Sequence, residues 1–441
     1  MKKLHIVILM ILLLLFSITS CSGKNAVNSK DTLQKDTSER LVISAIFWSD
    51  SMDNLVKRFK KAHPDISIEV KKPVTEMKSN NDISEQREKM ITELLSGNGA
   101  DIYEIQLVSG YKYSQSGMFE NLYDYMEKDA SFNFDDYYTN IFKGCEFNGE
   151  LNWAPQVFSY DFVRLNKNIT KLIGNGIEIG YTMNYLDIYD LYQKAISANA
   201  ADSDTVIESI VTASNALDPL EYRIYIDTNN LKCNYNSNNF IKYIDLFKQM
   251  PFSPYVNSSI VAANDSVEFD GKKKLLTIFR SNFTNWGNMY LETDTATKPI
   301  LLVSSDSKYT YSVHGEGLAI SKSSQNKELA WEFIKYIISE KEYVFDNENS
   351  ENYYLNYPYP VFMPINKRNY EKLANFYSSG NKEMADKINS INESLNAKSF
   401  YDPNLSVIIQ EIQDDYFVNS LTTAEECAKQ IQNRVELYIR E

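Results

Sequence analysis

Three of the four tryptophans in this sequence have hydrogen-bonding side chains close by. Asp50 follows Trp48, Gln156 and Tyr160 follow Trp153, and Asn282 precedes Trp286. An indole face can stack on the C–H surface of a sugar ring, and a carboxylate or amide can exchange hydrogen bonds with its hydroxyls. Aromatic platforms beside such groups suit a carbohydrate better than an ion or an amino acid. Each residue also has a plainer reading: Trp48, Trp153 and Tyr160 as packing, Asp50 as a helix N-cap. The fourth tryptophan, Trp331, lies beside an apolar helical stripe and reads as structural.

Reaction chemistry has weaker support. The three histidines are His5, His63 and His314, and none sits in a nucleophile motif. GxSxG, GxxxxGK[ST] and HExxH do not occur. A retaining glycosidase needs only two carboxylates about 5 Å apart, and Asp and Glu are abundant, so a hydrolase stands as the minor alternative to a binder. No catalytic residue, cofactor or metal ligand is therefore expected. The four cysteines, Cys21, Cys145, Cys233 and Cys427, form no CxxC and no Cys/His cluster, which leaves zinc unsupported.

Cys21 is placed for a different chemistry. Met1-Lys2-Lys3 precedes Leu4–Phe16, which is almost wholly apolar apart from His5. That run is shorter than the roughly 20 residues of a spanning helix and fits a secretory signal. Ile18-Thr19-Ser20-Cys21 resembles the lipobox of bacterial lipoproteins. The resemblance implies a diacylglyceryl group on the Cys21 sulfur and cleavage before Cys21. Two acyl chains anchor stably where one does not. Residues 1–20 are then a signal peptide. Residues 21–40, nearly all polar, are a flexible tether. The expected location is the extracytoplasmic face of the cell membrane, in a bacterium without an outer membrane.

Composition sets further limits. The formal net charge is −14 and no basic run follows the signal, so an acidic exterior would repel a nucleic acid backbone. Apolar residues make up 43% of the chain, enough for real cores, and its length favours two domains or lobes over one. With Cys21 lipidated, at most one disulfide could form among the other three cysteines.

The elements that must position these side chains are legible in part. Leu41–Trp48 reads as a strand. Leu55, Val56, Phe59 and Ala62 share one face of a helix that His63-Pro64-Asp65 ends. Ile66, Ile68 and Val70 alternate as in a second strand. This strand–helix–strand unit seeds a parallel sheet. A helix around Glu85–Leu95 and a short strand Asp101–Leu107 follow, and Leu275–Phe279 reads as a later strand. Leu329, Ala330, Phe333, Ile334, Ile337 and Ile338 form one helical stripe. The last helix opens with a capping box, Thr422 with Glu425 or Thr423 with Glu426. Ala424, Cys427, Ala428, Ile431, Val435 and Tyr438 make its buried face.

Four segments taken in order resemble family 1 extracellular solute-binding proteins of ABC importers, the group containing the maltose-binding proteins. They are FKKAHPDISIEV (59–70), ADIYEIQLVSGYKYSQSGMFENL (100–122), NGELNWAPQVFSYDFVRLNKNI (148–169) and GEGLAISKSSQNKELAWEFIKYI (315–337). LTTAEECAKQIQNRVELYI (421–439) resembles the usual terminal helix. Residues 171–265 match little of the family's pattern, and 269–289 match it loosely.

The resemblance implies an α/β, two-lobed periplasmic-binding-protein-like fold of type II, with crossover hinge strands and a ligand cleft between the lobes. The first lobe would use 41–152 plus 318–356, the second 153–317 plus 357–441. It implies a monomer that captures a small-molecule solute, here an oligosaccharide, and delivers it to the transmembrane subunits of an ABC permease. A sensor feeding a membrane signalling receptor would share the fold. Ligands of open α/β sheets sit beyond the strands' carboxyl ends, which selects the cleft candidates: Trp48 and Asp50; Gln106 and Ser109; Trp153, Gln156 and Tyr160; Asn282 and Trp286; and Tyr311 and Glu316. Gly315 and Gly317 would let the backbone approach a ligand or adopt positive φ.

Overall fold

The computed structural model describes residues 39–46, 48, 50–71, 80–105, 110–166, 182–202, 204–209, 223–227, 230–254, 268–269, 272–281, 300–310, 312–314, 317–339, 362–377, 381–396, 398 and 402–440. The signal peptide, Cys21 and the tether up to residue 38 lie outside the described residues.

The opening unit forms as the apolar pattern requires. β1 (Glu39–Ser44) and β2 (Ile66–Lys71) pair in parallel, from Glu39 opposite Ile66 to Ser44 opposite Lys71. α1 (Asp50–Ala62) joins them and buries Met52, Leu55, Val56 and Phe59. Ala62, expected on that face, is exposed, because it is the last residue before the chain turns away at His63-Pro64. The His63 ring stacks on Phe59, with centroids 4.3 Å apart. β1 ends at Ser44 rather than Trp48, so Trp48 belongs to the connection into α1.

α2 (Asn80–Ser96) leads to β3 (Ile102–Glu104), shorter than expected, which pairs in parallel with the other side of β1. Two late arrivals complete this sheet: β4 (Ala154–Pro155) and β15 (Gly317–Ile320). The order is β2-β1-β3-β15-β4, with β15 antiparallel to both its neighbours.

The second sheet is built on β5 (Val157–Leu165). With β6 (Thr182–Met183), β7 (Val206–Ser209), β10 (Phe252–Pro254), β12 (Lys272–Arg280) and β13 (Ile300–Leu302) it runs β10-β7-β12-β5-β13-β6. β14 (Ser312–His314) and β16 (Met363–Pro364) also pair with β5, and β11 (Glu268–Phe269) with β12. A separate hairpin joins β8 (Ile226–Asp227) to β9 (Lys232–Cys233).

Two hydrophobic clusters form the interior, the first around the first sheet but also taking in Phe158, Tyr160, Leu301 and Met363 of the second. Residues of α1, α8 (Lys327–Ser339), α9 (Lys367–Tyr377) and α10 (Lys382–Ser394) join the first. Those of α6 (Tyr185–Ser197), α7 (Asn238–Lys248), α11 (Pro403–Phe417) and α12 (Ala424–Arg440) join the second. The short helices α3 (Gly110–Gln115), α4 (Tyr123–Lys128) and α5 (Thr139–Gly144) precede the passage between sheets. The segment after the expected boundary at 357 contributes to both clusters. Tyr370, Leu373, Ala374, Met384, Ala385 and Ile388 pack into the first core, and only from Leu405 does the chain return to the second.

The terminal helix is capped by Thr423, whose hydroxyl accepts from the Glu426 N–H at 3.3 Å. Its buried face is as read, except that Ile439 is buried and Tyr438 only partly so. The Tyr438 hydroxyl contacts both carboxylate oxygens of Asp402, at 3.0 and 2.9 Å. Asp402 in turn caps α11, accepting from the Asn404 and Leu405 N–H groups. Cys145, Cys233 and Cys427 are all free thiols.

Candidate site at the crossover of the two sheets

Gln156 is the single residue between β4 in the first sheet and β5 in the second. Its carbonyl accepts from the Ile365 N–H at 3.1 Å, which ties the β16 segment to the same point. A second passage runs from His314 in β14 to Gly317 in β15. Gly315 and Glu316, between them, lie outside the described residues.

Strand directions then fix what surrounds the crossover. β1, β2 and β3 are mutually parallel, so Ser44, Lys71 and Glu104 end at one edge. Gly317, which opens the antiparallel β15, is at that edge too, its carbonyl accepting from the Ile105 N–H at 2.9 Å. In the second sheet β12 and β13 both run antiparallel to β5, and β7 runs parallel to β12. Their carboxyl ends therefore lie where β5 begins. Ser281, just after β12, marks the spot: its hydroxyl accepts from the Tyr160 N–H at 2.8 Å. Both sheets direct their carboxyl edges to the crossover, the position where open α/β sheets hold ligands.

Trp48 stands at the first of these edges, half-buried against the first core. Its Nε1–H donates to Asp53 Oδ1 at 2.8 Å. Asp50 is the first residue of α1. Asp53 was not a sequence candidate. The signal that could have found it is a second carboxylate in the first turn of the helix that follows the tryptophan.

Trp153, Gln156 and Tyr160 are 8%, 5% and 0% exposed, so in this conformation they form the floor beneath the crossover rather than an open wall. Trp153 packs over Gly110 and Gly317: a β-carbon on Gly317 would fall 2.4 Å from its Cδ1. Gly317 does not have positive φ, so its role is close approach, and what approaches is this indole. Among the described residues, neither amide atom of Gln156 has a hydrogen-bond partner, and the buried Ser159 hydroxyl also has none. Buried polar groups are nearly always paired, so an orphaned amide calls for an explanation. Gln106, Ser109, Asn282, Trp286, Tyr311 and Glu316 lie outside the described residues.

Trp331 is structural, as read. It is buried, and its Nε1–H donates to Asp129 Oδ2 at 3.1 Å. Burial disfavours the charged Asp129, but donors from Lys335, Ser131 and Trp331 outweigh it and hold the carboxyl well below the usual range. Close by, a cavity of about 360 Å³ is lined by Phe132, Tyr137, Lys335, Arg368 and Asn369, among others. None of the expected site residues lines it. Two of its cations are matched by acids, Lys335 by Asp129 and Glu332, and Arg368 by Asp136. Among the described residues no group of His, Cys, Asp and Glu could hold a metal ion, and no helix is long and apolar enough to cross a membrane.

No family model matches the sequence, and no curated protein matches it. Solved structures do match in fold. An ABC substrate-binding protein of Listeria monocytogenes, in complex with cycloalternan, is 15% identical with a TM-score of 0.56, covering 91% of this chain and 99% of its own. The sugar-binding protein MalE of Xanthomonas citri is 13% identical, TM-score 0.58, covering 91% of this chain and 97% of its own. A solute-binding protein of Thermotoga lettingae, bound with α-D-tagatose, is 16% identical, TM-score 0.53, covering 91% of this chain and all of its own. The chain has the two-lobed α/β fold that these solute-binding proteins share.

Proposed function

We propose that this protein is a lipid-anchored extracellular solute-binding protein that captures a carbohydrate and delivers it to an ABC importer. The observation that carries the reading is the convergence of both carboxyl edges on the crossover, with Trp48 at one edge and Gln156 beneath. Solute enters between open lobes. Rotation about the crossover strands brings the second lobe's edge, with the segment that follows Ser281, against the first and excludes water. Trp48, Asp50, Gln106, Ser109, Trp286 and Asn282 are the proposed contacts, with Tyr311 and Glu316 beside the second crossover. Trp153, Gln156 and Tyr160 support the floor. The orphaned Gln156 amide fits a ligand rich in hydroxyls, because an amide donates and accepts at once.

Capture needs a membrane address as well as a cleft. A lipid on Cys21 and the polar stretch to residue 38 keep the binder near its permease and free to reorient. Replacing Cys21 with Ala should release the protein from membranes, and a variant that stays firmly bound refutes the anchor.

Calorimetry with cycloalternan, acarbose, maltooligosaccharides and α-D-tagatose tests the carbohydrate assignment. Binding without turnover supports it. Hydrolysis of any of these sugars, or no binding to any of them, overturns it.

A further inference from the structure

We infer that Asp53 is a positioning residue: it holds the Trp48 indole by its N–H and so fixes which part of the ring is presented at the carboxyl edge of the first sheet. The role of Trp48 as a ligand platform rests on the carbohydrate-binding reading above, whereas the positioning contact itself does not.

An indole has one polar atom, and that atom only donates. In Trp48 it is committed to Asp53 Oδ1 at 2.8 Å. A solute at this edge therefore meets the ring's face and carbon edge and is offered no N–H. That favours stacking on an apolar sugar face over hydrogen bonding to a hydroxyl. Trp48 lies in a connection, outside any strand, and is only half-buried. Loop side chains of this kind keep rotamer freedom unless something holds them, and freedom lost on binding weakens affinity.

Asp53 is well placed to supply the restraint. It sits in the first turn of α1, a helix whose face is anchored in the core by Met52, Leu55, Val56 and Phe59. A carboxylate is stabilised by the positive end of the helix there. A charged acceptor also makes a stronger bond to N–H than a neutral one. The molecule uses the same pairing at Trp331, whose N–H meets Asp129 on a separate element, but there the indole is 2% exposed and presents nothing. The difference in exposure separates a held core ring from a held platform.

The test uses the full-length chain labelled with 15N-tryptophan. Its four tryptophans give four indole N–H signals, and Trp48→Phe identifies the one that belongs to Trp48. In Asp53→Ala the Trp48 signal should move upfield and exchange faster with solvent, while the Trp331 signal stays in place. Asp53→Asn keeps an acceptor oxygen and should restore most of the shift. For a sugar that the wild type binds, Asp53→Ala should weaken affinity by about tenfold and Asp53→Asn by much less. A merely structural Asp53 would lower the melting temperature without moving the Trp48 signal selectively.

An unmoved Trp48 signal in Asp53→Ala overturns the inference. So does a wild-type Trp48 proton that exchanges as fast as free indole, a reading that needs no Asp53 variant to fold. A moved signal with unchanged affinity, for a sugar whose binding Trp48→Ala abolishes, overturns the consequence for ligand. A wild type that binds no sugar overturns the carbohydrate reading instead, and the indole signals still decide the positioning contact.

Discussion

Gly317 and Trp153 fit together only because Gly317 has no side chain: a β-carbon there would lie 2.4 Å from Trp153 Cδ1 and 3.1 Å from Ile105 Cγ1. Trp153 lies just before β4 and Gly317 opens the antiparallel β15, Trp153 entering the first passage and Gly317 leaving the second. Their contact therefore clamps both passages at the edge where the solute would sit. Gly317→Ala should destabilise the fold by about 1–3 kcal/mol through overpacking. Adding Trp153→Phe should recover part of that loss, and chemical denaturation of the three variants measures it. Equal losses in the single and double variants would show that the indole is not what the methyl meets.

Gln156 should be a residue whose removal stabilises. Both of its amide atoms are buried without partners, and an orphaned buried polar group costs about 1–3 kcal/mol. Gln156→Met keeps the length of the side chain and removes the cost. The melting temperature should hold or rise, while sugar affinity falls. A variant that is less stable than the wild type would mean that the amide is satisfied in solution.

The Asp129 carboxyl gives a pH signature. It accepts from Lys335 Nζ at 2.7 Å, Ser131 Oγ at 2.6 Å and Trp331 Nε1 at 3.1 Å. Its pKa is lowered on folding, so the stability it contributes is full above the unfolded value, about 3.9, and is lost as pH falls below that. Asp129→Asn should cost about 1.5–3 kcal/mol at neutral pH, the usual range for hydrogen bonds to a charged group. The gap to wild type should narrow between about pH 4 and pH 2. A gap independent of pH down to that range would remove Asp129 as its source.

The three described thiols should resist modification. Burial pushes Cys427 up to about 12 and Cys233 up to about 11, and Cys145 is fully buried. The thiolate is the reactive form, so N-ethylmaleimide at neutral pH should label none of them quickly in the folded protein and all of them in denaturant. Mass spectrometry of the labelled peptides reads each site separately. Rapid native labelling of Cys427 would mean that α12 opens on the timescale of the reaction.

Much of the fold was legible because local pattern and tertiary burial agree there. Phe59 and the alternation at Ile66, Ile68 and Val70 give the first βαβ unit almost residue by residue. The stripe from Ala330 to Ile338 gives α8. Boundaries slipped where a chain must leave its sheet for reasons outside the strand, as at Ser44, which ends β1 well before the apolar run does. The helices from Lys367 to Ser394 were not singled out in the sequence, since an amphipathic helix records that it has a buried face but not which sheet covers it. Among the candidate residues, Trp48 was singled out from its type and its place near a strand end. Asp53 was missed although a carboxylate in the first turn of the following helix was the available signal, because whether the indole N–H meets it depends on how the connection bends into α1.

The sequence alone carried the strand–helix–strand alternation of an α/β fold, an apolar N-terminal run followed by Cys21, and the placing of tryptophans near strand ends, while the two lobes were implied by its resemblance to a family. The alternation and the run follow from periodicity and residue type, which act over a few residues at a time. Only the tertiary structure decided that Gln156 is the one residue between two sheets, that Gly317 is bare to admit Trp153, and that the Trp48 N–H belongs to Asp53. The first two depend on segments brought together by packing and strand direction, which exist only once the chain has folded, and the third on how the connection after β1 bends into α1.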